Sequence, residues 1–377
     1  MAFIAASPLT ARSAFAPAAS AAATRRRAAA ATAAGAARGD RRRRAPTVLI
    51  LNTKGGGHAF IGLHVAEAVL AAGGRVRLLN VGDEASLSTA LPCARYAGVA
   101  ASAADGAFAV AYGSADELPT AFPGVAFDVV LDNNSKRVDE AASVADFVAS
   151  AAIPQLLYIS SAGQYVYDPS VAPHIEGDAA AGGQVEVEAS LSARGTPFAA
   201  FRPIYLVGAA SAKRDYLDFF FDRLVRGRRV PIPGSGAEVT SLTDVADVAS
   251  MLVAAMARPA AATGGEVYNA TAGRGVTLDG VARLCAAAVG VDAAVVHYDP
   301  SRVAVDGFSV KKAFPFRPRH FFADAGAAEA ALGWAPGANG DLAAVVAQSY
   351  AEYVALGLGE RDVSFAMDDA ILGAVAA

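Results

Sequence analysis

Cysteine is scarce in this sequence: two of 377 residues, Cys93 and Cys285. They stand far apart and form no Cys-x-x-Cys pair. That excludes a disulfide framework and a cysteine zinc site, and it suits a reducing compartment. Long uncharged apolar runs are missing too, so no membrane-spanning helix is expected. Apolar residues nevertheless make up 54% of the chain, enough to bury a large core.

Acidic residues are lacking at the start. The first 46 positions hold nine arginines and one acid, Asp40, and end in Arg41 to Arg44 followed by Ala45-Pro46. There is no compact apolar stretch with a small-residue cleavage site, so a secretory signal is excluded. An Arg-, Ala- and Ser-rich, acid-poor segment has the composition of an organelle transit peptide, expected here over residues 1–45. Composition alone leaves plastid and mitochondrion open. Beyond residue 46 the balance inverts to 23 basic against 35 acidic side chains, a net charge of −12. That opposes indiscriminate phosphate binding, so any nucleic-acid role must rest on a local basic patch.

From Thr47 the sequence alternates strand and helix. Val48 to Leu51 is a short apolar run of the kind buried on both faces of a parallel sheet. Gly55-Gly56-Gly57 supplies a turn; Ile61, Val65, Ala68, Val69 and Ala72 then fall at helical spacing up to Gly73-Gly74. Further strands are expected over Arg75 to Asn80, Phe127 to Asp132, Gln155 to Ser160 and Gly265 to Asn269. Thr277 to Val289 has helical periodicity, and Thr243 or Asp244 is a plausible cap for an Ala-rich helix. The pattern predicts an α/β fold, a doubly wound parallel sheet with right-handed crossovers and a smaller C-terminal α/β lobe. The expected division is a nucleotide-binding-type domain over 46–208 and a lobe over 209–335. Residues 237–262 return to the first domain, and a helical tail covers 336–377.

The glycine turn follows a strand and opens a helix, the context in which backbone N–H groups approach a pyrophosphate. Gly56, Gly57 and Gly62 are its candidate cofactor-binding residues, with Ala59 at the middle position. The second strand ends at Asn80, where a dinucleotide site usually has an acid for the ribose hydroxyls. Asn80 can hydrogen-bond a ribose but offers no carboxylate, which disfavours NAD(P).

Several motifs, in order, resemble the extended short-chain dehydrogenase/reductase family, the NAD-dependent epimerases and dehydratases. They are Ser160 to Gly163, Phe201-Arg202-Pro203, Val230 to Gly236, Thr243-Asp244-Val245, Val267-Tyr268-Asn269 and Leu332-Gly333-Trp334. The resemblance implies a catalytic Tyr with a Lys four residues later. Val185 and Ala189 stand at those two positions, and neither can carry a proton. Within that family the chain is most similar to the chloroplast stem-loop binding proteins. The likeness rests on Gly56 to Ala59, Val81 to Glu84, Phe127 to Asn134, Pro173-His174, Glu176 to Asp178, Thr277 to Gly280, His297 to Pro300 and Lys311 to Phe314. It implies a chloroplast stromal protein that binds stem-loop RNA, and ribosomal RNA or pre-ribosomal particles among its partners. It also implies endoribonuclease activity and an oligomer with itself or a related plastid protein. The rival readings are an NAD(P)-dependent sugar-nucleotide epimerase or reductase, and a scaffold that stabilises RNA without cleaving it.

Cleavage without a histidine pair would call on a divalent metal. Asp132, Asn133 and Asn134 are expected at one strand's carboxyl end, with Asp83 and Glu84 at another's. Oxygen ligands there suit Mg²⁺, shared by Asp132 and Asp83. The competing reading is that these side chains close a turn and cap a helix. His58, in the glycine turn, and His174 are the general acid–base candidates beside Asp132 and Asn133, against a structural role for either. RNA contact is expected from Arg223, Arg226, Arg228 and Arg229, and from Lys311, Lys312, Arg317, Arg319 and His320. The second group is interleaved with Phe314, Phe316, Phe321 and Phe322, which could stack on bases or belong to the core.

Overall fold

Apolar runs at the expected positions become the inner strands of a seven-stranded sheet. The computed structural model describes residues 45–52, 60–170, 172–337 and 341–376. Six strands come first in the chain: β1 (Thr47–Asn52), β2 (Arg75–Val81), β3 (Phe108–Gly113), β4 (Val129–Asn133), β5 (Leu156–Ile159) and β6 (Phe198–Pro203). Strand Gly264–Ala270 joins beside β6, giving the order β3-β2-β1-β4-β5-β6-(264–270), parallel throughout. The reversal of order at β1 and β4 opens a crevice at the carboxyl ends of these strands.

Side chains alternate between the two faces with period two, as a pleated strand requires. Val48, Ile50, Leu78 and Leu131 pack on one side with helices Phe60–Ala71 and Val245–Ala257. Leu49, Leu51, Val130 and Leu156 pack on the other with helices Val138–Ser150 and Gly183–Ala193. Each such side chain contributes about 1.5–3 kcal/mol by leaving water. Gly62 is where helix and sheet approach most closely: an added Cβ would lie 2.8 Å from Asn52 Oδ1.

A second core lies in the lobe. Helix Asp215–Leu224, helix Leu278–Val289 and helix Leu342–Ala355 surround the parallel pair Val230–Pro233 and Val295–Tyr298. Phe220, Phe221, Ile232, Val281 and Tyr353 fill it, together with Phe314 and Phe316. Asp244 and Thr277 cap their helices through Ala246 N and Gly280 N. Among the described residues no helix is long and apolar enough to cross a membrane.

Candidate functional site

Loops after β4, β5 and β6 face the lobe across a cleft of about 1030 Å³. Its floor carries Asn133, Asn134, Ser160 and Ser161; Tyr205, Tyr216, Phe316 and Phe321 make its wall aromatic. Five cationic side chains line it, Lys136, Lys213, Lys311, Arg317 and Arg319, against one acid, Asp215. None of the five is ion-paired among the described residues. Lys311, Arg317 and Arg319 were expected from sequence as RNA contacts; Lys136 and Lys213 were not.

The segment Pro315 to Phe321 sets the two arginines. Pro315 and Pro318 fix their own φ angles and stiffen it. Arg317 Nη2 donates to Gly163 O at 3.1 Å, and its backbone N donates to the Tyr205 hydroxyl at 3.0 Å. The Arg317 guanidinium lies 3.7 Å from the Phe321 ring centroid and that of Arg319 4.0 Å from Tyr167. Burial pulls Arg317 below the ordinary arginine value, and the like charge of Arg319 adds to this; it stays protonated, as arginine does in proteins. Tyr205 itself is left-handed, φ 39°, a conformation costing about 1–3 kcal/mol that surrounding structure must enforce. Edge-to-face packing on Tyr216, Phe316 and Phe321, with centroids 4.9–5.7 Å away, enforces it.

Most of the other arginines proposed from sequence turn inward. Arg223 is buried and makes a two-pronged pair with Asp368, both bonds 2.7 Å. Arg226 donates to the carbonyls of Gly359 and Arg361, at 2.7 Å each. Arg228 pairs with Asp369. These residues hold the segment after residue 341 on the lobe; their hydrogen-bonding capacity is spent there rather than on phosphate. Arg229 is exposed, and Lys312 lies in a neighbouring cavity with Arg214 and Arg361. Phe314, Phe316 and Phe321 are 3% exposed, so they are core residues first and offer no open stacking face.

The acid–base and metal candidates are largely engaged within the protein, although Asp132 Oδ2 is buried without a partner among the described residues. Asp132 is 1% exposed, and its Oδ1 accepts from Asn134 N and Ser135 N at 2.9 Å each. Burial pushes its carboxyl above the usual range. Asp83 accepts from Ser86 N at 3.0 Å and caps helix Glu84–Leu87. Both acids thus do the turn-closing and capping work. Among the described residues no group of three or more His, Cys, Asp or Glu is placed to hold a metal. His174 is 3% exposed, stacked 4.7 Å from the Tyr165 ring and bonded through Nδ1 to Asp178 at 3.0 Å. It packs between Tyr165 and Phe321, with its Nδ1 committed to Asp178. His58, Gly56 and Gly57 lie outside the described residues.

Two polar networks at the sheet ends were missed in the sequence. Asn52, Asn80 and Asn133 end β1, β2 and β4. Asn133 Nδ2 donates to Asn52 Oδ1 at 2.7 Å, while Asn52 Nδ2 and the Tyr96 hydroxyl both donate to Asn80 Oδ1. Beside β5 and β6, Glu188 accepts from Ser160 at 2.5 Å and from Arg202 at 3.0 and 2.6 Å. Tyr165, 5.0 Å below the Arg202 guanidinium, passes the network on to Asn269 at 2.6 Å. Spacing along the chain gave no sign of either set, because each joins residues from separate strands.

The fold implies a dinucleotide cofactor, and the residues fit it poorly at both ends described. Asn80 gives its acceptor oxygen to Asn52 and Tyr96 rather than leaving it for a ribose. Helix Gly183–Ala193 carries Val185 and Ala189, which offer no proton and no ribose contact. The acid on that helix facing the sheet, Glu188, is bound to Arg202 instead.

No family model matches the sequence. Among solved structures, a dTDP-glucose 4,6-dehydratase from Streptomyces venezuelae with NAD and TYD bound is similar at a TM-score of 0.64 and 18% identity. The match covers 83% of this chain and 99% of that one. A UDP-glucose 4-epimerase from Bifidobacterium longum, in complex with NAD⁺ and UDP, gives 0.62 and 18% over the same shares. At such identity the likeness establishes the fold. In sequence, the chain is 33% identical to the chloroplast stem-loop binding protein of 41 kDa b of Arabidopsis thaliana. That match runs over 263 residues, 68% of this chain and 67% of the relative. With the fold of the nucleotide-sugar epimerases and dehydratases, the chain belongs to the family of the 41 kDa chloroplast stem-loop binding proteins.

Proposed function

We propose that this protein binds stem-loop RNA in the chloroplast stroma, through the cleft between the sheet's carboxyl edge and the lobe. The observation that carries this reading is the concentration of five unpaired cations against one acid in that cleft. The chain beyond residue 46 carries −12 even with the cleft's cations counted in, so its remaining surface repels a polyanion and leaves the cleft as the favoured contact. Family membership supplies the kind of nucleic acid, because the relative's name is that of a stem-loop binder. Metal-dependent cleavage gains no support, because among the described residues no group of three or more His, Cys, Asp or Glu is placed to hold a metal.

The test is a salt titration of RNA binding with the chain from Ala45 onward, which holds both cores and forms one compact unit. Omitting the arginine-rich leader keeps its charge out of the measurement. With five phosphate contacts, log K should fall against log salt with a slope of about −3.5 to −4.5. A flat salt dependence, or turnover of a UDP-sugar with added NAD⁺ in place of RNA binding, would sink the reading.

A further inference from the structure

The cleft's shape says which part of a stem-loop it can take; this deepens the RNA-binding reading above and rests on it. Double-stranded RNA is met across its wide, shallow minor groove, by protein surfaces that project toward it. Here Arg317 and Arg319 are half-buried between the sheet ends and the lobe, on walls that include Tyr205, Tyr216 and Phe316, while Lys136, Lys213 and Lys311 stand exposed around them. Arg319 adds an independent observation. Its Nε is shut off from solvent and has no acceptor, while its guanidinium is pinned over Tyr167. The Nη groups of the same guanidinium make no hydrogen bond among the described residues and are open to a phosphate oxygen that enters the cleft.

We infer that the cleft admits unpaired RNA nucleotides, one strand at a time, and that Arg319 with Arg317 forms their phosphate clamp. The two guanidiniums are preorganised by the aromatic faces beneath them and by the flanking Pro315 and Pro318, so little freedom is lost on binding. Tyr216, partly exposed and stacked 5.6 Å from Phe316, presents a ring to a base. Lys213 lies 5.9 Å from that ring and meets the next phosphate. The loop of a stem-loop supplies such a strand; its stem does not.

Three fluorescent probes test this on the chain from Ala45 by anisotropy at one fixed salt: a stem-loop, its stem as a blunt duplex, and the loop sequence as a single strand. The expected result is stem-loop and single strand binding within a few-fold of each other, with the duplex at least about tenfold weaker. Arg319→Lys keeps the charge and loses the fork. It should weaken stem-loop and single strand about tenfold and leave the duplex unchanged. Tyr216→Leu, which leaves Arg319 in place, should cost about tenfold on the single strand through lost stacking. A duplex bound as tightly as the stem-loop, or folded variants that bind every probe as the parent does, would overturn the inference while RNA binding itself stood. Absence of binding to all three probes would overturn the underlying reading instead.

Discussion

Two sets of basic residues, one packed around helix Asp215–Leu224 and one lining the cleft, look alike in sequence and meet different surroundings. Around helix Asp215–Leu224, Arg214, Arg223, Arg226, Arg228 and Arg361 each meet a carboxylate, and they hold the chain after residue 341 in place. Across the cleft, Lys136, Lys213, Lys311, Arg317 and Arg319 meet none among the described residues. Charge type is the same; neutralisation differs. A guanidinium already engaged in two bonds to a carboxylate has little left for a phosphate, whereas one resting on an aromatic ring keeps its donors. What separates the ion-paired from the unpaired cations here is the supply of acids, not the density of arginine.

The sharpest way to break this contrast is Arg223→Ala. It strands Asp368, 4% exposed in its side chain, and removal of one partner of a buried pair costs about 3–5 kcal/mol. Urea unfolding should record that loss, while RNA affinity of the folded protein stays within about twofold, the change expected for a non-contacting residue. A large affinity loss with unchanged stability would reverse the two assignments. Lys213→Ala combined with Lys311→Ala is the mirror case. Unfolding should shift by no more than about 0.5 kcal/mol per site. The salt slope of RNA binding should become shallower by about 0.7–0.9 per contact removed.

The smallest effect concerns Asp218, whose carboxyl burial pushes up to about 6 against the opposing pull of Arg214 and Arg361. Between the unfolded value of 3.8 and about 6, the folded chain holds a proton there that the unfolded chain has released. Stability from this group therefore falls as pH rises through that window. Asp218→Asn lacks the titration. Melting curves from pH 4 to 7 should show the parent losing stability relative to the variant as pH rises. A constant difference would place the proton elsewhere in the cluster.

The sheet was legible because its strands are short apolar runs bounded by glycines and polar residues, and β1, β2, β4, β5 and strand Gly264–Ala270 lie where the pattern put them. β3 escaped notice although Phe108 to Tyr112 is apolar; it is an edge strand, only partly buried along its whole length. Half of the cleft was legible for a similar reason. Lys311, Arg317 and Arg319 crowd one stretch of sequence, whereas Lys136 and Lys213 are single lysines in loops that only the crossover topology brings together. The arginines of 223–228 misled because their partners, Gly359, Asp368 and Asp369, stand 133 to 145 residues further on. The phenylalanines of 314–321 stayed open between core and stacking, because periodicity cannot tell a ring packed in a core from one offered to a base; Phe314, Phe316 and Phe321 prove buried.

The tie between Arg223 and Asp368 also carries a meaning in time. A ribosome makes the chain from its amino end, and domains fold as they emerge. Helix Asp215–Leu224 is complete long before Asp368, 145 positions later, leaves the exit tunnel. Glu352, which joins Arg214 to the backbone N of Ala210 at 2.6 and 2.8 Å, is similarly late. Until then Arg223 stands without Asp368, and Arg214 and Arg226 have only the acids of their own helix, Asp218 and Asp222. The lobe is thus closed by the last-made part of the chain and cannot complete its fold until synthesis is finished.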